Sequence, residues 1–109
     1  MSSTKPLKRI RIKFKGFDEQ WQLARAEWFE LNSPDYDGDY YQCGLCPYAV
    51  HKDETTLDHI EPKSTHPHLK YVLSNLQPAH EVCNNRKGSM SMEWYRDAYP
   101  ELMREPVPA

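Results

Sequence analysis

Three cysteines cannot all pair as disulfides, and no apolar run in the 109 residues is long enough to cross a bilayer. The N-terminus lacks the apolar stretch of a signal peptide. Repeats and low-complexity tracts are missing too. Apolar residues are few and prolines number nine, so the core has to be modest. A chain this short often relies on a staple such as a structural metal. These absences point to one cytoplasmic domain, with no membrane contact, in a reducing compartment. There a close cysteine pair signals a metal more often than a disulfide.

The formal net charge of −2 hides an asymmetry. Lys5, Lys8, Arg9, Arg11, Lys13 and Lys15 place six positive charges before the first acid, Asp18. The remainder holds eight basic against sixteen acidic residues. A segregated basic arm suits a polyanion, and a solvated strand face is the plainer reading of the same run.

Ile10, Ile12 and Phe14 alternate with Arg11, Lys13 and Lys15, the period of a strand. Asp18 is placed to cap a helix reaching about Leu31, with Phe17, Trp21, Ala24, Trp28 and Leu31 on one stripe. Asn32-Ser33-Pro34 ends it, and Asp35 to Tyr41 reads as a loop. Tyr36, Tyr40 and Tyr41 there suit a cover for the cysteines that follow, or a stacking surface for bases. Tyr48–Val50 and Thr55–Ile60 read as short strands, and Glu61 to Tyr71 as a loop whose histidines, His66 and His68, are exposed. Val72-Leu73 is expected to begin a return strand. Asn75 to Pro78 then turns into a helix starting near Ala79 and ending at Gly88-Ser89. A last amphipathic helix spans about Ser91 to Ala98, anchored by Met92, Trp94 and Tyr95, and the tail after Met103 is expected to be loose.

Cys43-x-x-Cys46 puts two thiolates on one tight turn, and His80-x-x-Cys83 repeats the spacing at a helix start. The four make a closed Cys₃His set suited to structural zinc. His51, His66 and His68 stay open as the fourth ligand, although none has the matching spacing to a cysteine. A redox dithiol is the competing reading of the first pair, and it lacks a surrounding βαβ pattern.

A second set interleaves with the first. Asp58 offers a hard oxygen suited to Mg²⁺ or Mn²⁺, and neighbouring His59 offers a general base near neutral pH. Asn84 follows Cys83 on the helix, rotated by about 100°. It can therefore point towards Asp58 while Cys83 points to the zinc ligands. Adjacent strand residues face opposite ways. Asp58 and His59 can flank one phosphate only if the strand ends, twists or bulges there.

Cys43-x-x-Cys46, Asp58-His59-Ile60-x-Pro62, Asn75-Leu76-Gln77, His80-x-x-Cys83-Asn84 and Lys87-Gly88-Ser89 together resemble an HNH endonuclease of the ββα-metal type, over about residues 40 to 90. Small phage and prophage members look most similar. The resemblance implies an α+β fold: a small ββα-metal core with a zinc knuckle, behind a basic arm and an amphipathic helix, and before a short C-terminal helix. It implies a single domain over 1–109, with the arm at 1–16, helix and loop at 17–39, the core at 40–90 and the last helix and tail at 91–109. It implies His59 as the base that activates water, and Asp58 and Asn84 as holders of one Mg²⁺ or Mn²⁺. Asn75 would orient the loop or the base-bearing strand. Cys43, Cys46, His80 and Cys83 would hold zinc.

The implied activity is metal-dependent hydrolysis of DNA, expected to be double-stranded, to 5′-phosphate and 3′-hydroxyl ends. Arg9, Arg11, Lys13, Lys15, Arg86 and Lys87 are the expected DNA contacts. The chain departs from the commonest pattern in three ways. Asn84 stands where many members have histidine, and His80 where many have cysteine. The usual glycine pair after the first histidine is missing. Two other readings fit parts of the pattern: a non-catalytic zinc module that binds nucleic acid, and a structural zinc ribbon.

Overall fold

The computed structural model describes residues 18–107. The expected basic strand, and with it Arg9, Arg11, Lys13 and Lys15, lies outside the described residues. The chain groups into two compact units divided between Ser33 and Pro34.

In the first unit Asp18 caps helix α1, Glu19–Leu31, by accepting a hydrogen bond from the Trp21 amide at 3.1 Å. Asn32 closes the other end, donating its side-chain amide to the Trp28 carbonyl. Ala24 and Trp28 are buried as the stripe requires. Leu31 is not: at 67% exposure it lies past the point where the apolar face is covered.

The second unit is a small α+β fold of two antiparallel hairpins and two helices. Strands β1, Tyr40–Gln42, and β2, Ala49–His51, pair with Tyr41 opposite Val50. The Cys43–Cys46 segment forms the turn between them. Strands β3, Thr56–His59, and β4, Leu76–Ala79, pair with Asp58 opposite Gln77 and His59 opposite Leu76. Helix α2, Glu81–Lys87, follows directly with His80 as its first cap, and α3, Met92–Ala98, starts from Ser91. Gly88, with φ of +55°, stops α2 in a conformation that costs a side chain dearly.

Four expectations need correction. Tyr40–Gln42 is a strand rather than the end of a loop, because its backbone finds β2 as a partner. The return strand begins at Leu76 rather than at Val72-Leu73, since Leu73–Asn75 winds into a 3₁₀ turn first. That strand includes Pro78, which stands opposite Leu57. The proline leaves its carbonyl free to accept from the Gly44 amide at 2.8 Å, and this bond joins the two hairpins. Trp94 is 70% exposed, so Met92 and Tyr95 alone anchor α3. The segment after Met103 is tied back: the Val107 amide donates to the Pro47 carbonyl at 2.6 Å, and Arg104 meets the Tyr48 hydroxyl at 3.0 Å. No helix among the described residues is long and apolar enough to cross a membrane.

Candidate active site and metal centre

The knuckle in the β1–β2 turn and the start of α2 bring Cys43, Cys46, His80 and Cys83 together. One ligand atom from each lies within 4.8 Å of all the others. His80 Nδ1 is 3.5 Å from Cys46 Sγ and 3.7 Å from Cys83 Sγ. A tetrahedral zinc with sulfur at about 2.3 Å and nitrogen at about 2.0 Å needs ligand–ligand edges of roughly 3.5–3.8 Å. The four residues fit that ion.

His80 Nε2 donates to the Ala49 carbonyl at 3.0 Å, which fixes the proton there and leaves the lone pair on Nδ1, facing the sulfurs. Burial, with two other thiols close by, pushes the Cys46 thiol up to about 12. Buried thiols of this kind give up their protons only to a cation that replaces them. The Leu45 amide donates to Cys43 Sγ at 3.4 Å. The Arg86 guanidinium places positive charge near Cys83. These four residues form a candidate zinc site. His51 carries its Nδ1 towards the Asp53 amide instead, and His66 pairs with Thr65.

The second set converges where β3 ends. β3 stops at His59, and beyond it the Ile60 amide bonds the Asn75 carbonyl at 2.8 Å. Helix α2 packs along β3. Asn84 donates its side-chain amide to Thr56 Oγ1 at 3.1 Å and to the Leu57 carbonyl at 3.2 Å. One turn further on, Lys87 reaches Asp58. Thr56 and Asp58 share one face of the strand, and Asn84 and Lys87 share one face of the helix, so the four line a single seam. Asn84 thus spends its N–H groups on β3, and the side chains bonded to the Asp58 carboxylate are Gln77 and Lys87.

Asp58 is 3% exposed, and its carboxylate is already held by protein. Gln77 Nε2 donates to Oδ2 at 2.9 Å, and Lys87 Nζ sits 3.2 Å from each oxygen. Burial pushes the Asp58 carboxyl up, opposed by the Gln77 hydrogen bond and the Lys87 charge. His59 leaves the strand on the other side. Its Nε2 donates to the Lys70 carbonyl at 3.0 Å, so in the neutral ring the lone pair lies on Nδ1. Burial lowers this imidazole from its ordinary value, against the Lys70 hydrogen bond, and so favours the form that accepts a proton.

Asn75 is buried and clamps the loop that carries Lys70. Its Oδ1 accepts from the Glu61 amide at 2.9 Å, and its Nδ2 donates to the carbonyls of Glu61 at 3.1 Å and Leu69 at 3.3 Å.

Lys87 was expected at the phosphate backbone. It is 1% exposed and bonded to Asp58 and to the His59 carbonyl at 2.7 Å, so it cannot reach a phosphate. Its spacing of three from Asn84 carried the signal, because residues three apart on a helix look the same way. Arg86 is likewise engaged. It bonds the Tyr95 hydroxyl at 3.2 Å and lies over the Tyr99 ring. Two contributors escaped sequence reasoning. Gln77 stands opposite Asp58 in the β3–β4 register, and Lys70 acts through its carbonyl, which no side-chain motif reveals.

The family model for HNH endonuclease matches residues 43–90 of the chain. Neither a curated protein nor a solved structure matches it.

Proposed function

We propose that residues 43–90, which the family model for HNH endonuclease matches, form such a domain, and that the chain is a metal-dependent endonuclease hydrolysing phosphodiester bonds of duplex DNA to 5′-phosphate and 3′-hydroxyl ends. The single observation that supports this best is His59: a half-buried imidazole, oriented by a loop carbonyl, at the strand end next to a buried carboxylate.

In this reading His59 takes the proton from an attacking water at Nδ1. The Nε2–H to Lys70 bond stabilises the imidazolium that results. Asn75 keeps the Lys70 carbonyl in place through its three bonds to the loop. Asp58 and Asn84 would hold Mg²⁺ or Mn²⁺, which when bound offsets charge on the phosphate and on the leaving 3′-oxygen. The Cys₃His site would hold zinc and weld the first hairpin to the start of α2. The knuckle lies apart from the reacting groups, so its part is structural.

Incubating supercoiled plasmid with the protein, with and without Mg²⁺, tests this. Nicked or linear product should appear only with Mg²⁺. His59→Ala should lower the rate on the order of 10²–10⁴-fold while leaving DNA binding in place. Cleavage by the alanine variant at the parental rate would remove His59 from the mechanism.

A second reading has one observation in its favour. Both oxygens of Asp58 are already bonded to Lys87, and one also to Gln77. A zinc module that binds nucleic acid without cutting it would tolerate this arrangement. It predicts intact plasmid under every metal condition.

A further inference from the structure

Lys87 has no part in the mechanism proposed for this site, yet it sits at its centre. Its ammonium is fully enclosed, with 0% of the side chain exposed, and faces an Asp58 side chain that is 3% exposed. Three acceptors surround it: Asp58 Oδ1, Asp58 Oδ2 and the carbonyl of His59. It thus touches both the carboxylate and the backbone of the residue that bears the imidazole. A carboxylate offers about four lone-pair positions. Lys87 takes one on each oxygen, and Gln77 takes the second on Oδ2. One position remains, on Oδ1.

We propose that Lys87 is a positioning residue that acts as a resident counter-ion on Asp58, so that a divalent cation binds there next to a positive charge already in place. This rests on the reading of Asp58 as a ligand for the catalytic ion. The arrangement has two consequences. With no divalent ion, a buried carboxylate would be costly to keep charged, and Lys87 supplies a paired charge that offsets this cost and aims the carboxylate. A divalent ion held by Asp58 would lie close to the like charge of Lys87, which is 3.2 Å from each carboxylate oxygen. The site is pre-formed at the expense of metal affinity. A lock that merely fastened α2 to β3 would predict the reverse, because removing it would loosen the carboxylate and weaken the ion.

The test is Mn²⁺ binding to the zinc-loaded full chain, read from the electron paramagnetic resonance signal of free Mn²⁺. Lys87→Met should tighten Mn²⁺ on the order of tenfold, and Lys87→Arg, which keeps the charge, should bind like the parent. Asp58→Asn, alone and combined with Lys87→Met, should abolish binding. If Asp58→Asn loses Mn²⁺ but Lys87→Met binds it equally or more weakly, the counter-ion role is overturned and Asp58 stands as a ligand. If Asp58→Asn binds Mn²⁺ as the parent does, the metal reading of Asp58 fails, and the Lys87 role with it.

Zinc content and circular dichroism show whether Lys87→Met folds. Should it not, the parental protein still decides. The ¹⁵N-labelled ammonium resonance of Lys87 should shift on titration with Mg²⁺, with the same midpoint as the backbone amides around Asp58. An ammonium signal that stays in place at saturating Mg²⁺ would overturn the proposal.

Discussion

Asn75 shows how much one buried side chain can organise. All its polar atoms are spent on the loop between β3 and β4, which has little secondary structure of its own. Asn75→Ala would leave the Glu61 amide and two carbonyls without that partner. Each buried group left unsatisfied costs about 1–3 kcal/mol. The variant should therefore show a lower urea midpoint and a nicking rate reduced at least tenfold, because the Lys70 carbonyl that orients His59 shifts with the loop. Asn75→Asp keeps the acceptor for Glu61 and loses both donors, so it should fall no closer to the parent than alanine does by much in activity, while its urea midpoint separates the two. A nicking rate unchanged in the alanine variant would show that loop order and imidazole orientation are independent.

Between elements, the contact of the knuckle with β4 depends on Gly44. A Cβ at this position would collide with the Gln77 side chain, the same side chain that donates to Asp58. Gly44→Ala should therefore push Gln77 off the carboxylate and cost about 1 kcal/mol, the usual worth of one such hydrogen bond. The cost should largely vanish when Gln77→Ala is already present, since nothing then stands in the way. A double-mutant cycle from urea unfolding measures this directly. Additive costs would mean that the alanine disturbs the knuckle backbone instead. A second tie runs from α3. The Tyr95 hydroxyl donates to the Leu45 carbonyl at 2.8 Å and accepts from Arg86. Tyr95 is wholly buried, so the last helix is fastened to the knuckle by a hydrogen bond that water cannot replace.

For the molecule as a whole, the second unit has short strands and a small core that includes Leu45, Val50, Leu57, Leu76 and Ala79 with Cys43, Cys83 and Tyr95. Zinc on the Cys₃His set would add folding energy directly. A strong chelator should collapse the thermal transition, and adding Zn²⁺ back should restore it. A transition insensitive to chelation would rule out a structural metal. The charge distribution makes a separate prediction. Replacing Lys13 and Lys15 with glutamine should weaken DNA binding and lower the salt slope by close to two counter-ions. An unchanged slope would show that the arm does not touch the phosphates.

Much of this was legible in one dimension because it depends on local spacing. Cys-x-x-Cys and His-x-x-Cys each fit a turn, Asp18 sits where a helix needs a cap, and Gly88 stands where a helix ends in positive φ. Those relations hold within four residues, and the backbone geometry alone enforces them. What only the tertiary structure decided was the environment of groups far apart in sequence. Lys87 looked like a surface cation until α2 lay against β3 and enclosed it with Asp58, 29 positions earlier. Tyr40–Gln42 became a strand because β2 offered a partner, and Trp94 stayed exposed because only one face of α3 meets the core. Burial is a property of the assembled surfaces, and it sets whether a charge is a contact for DNA or a counter-ion inside the protein.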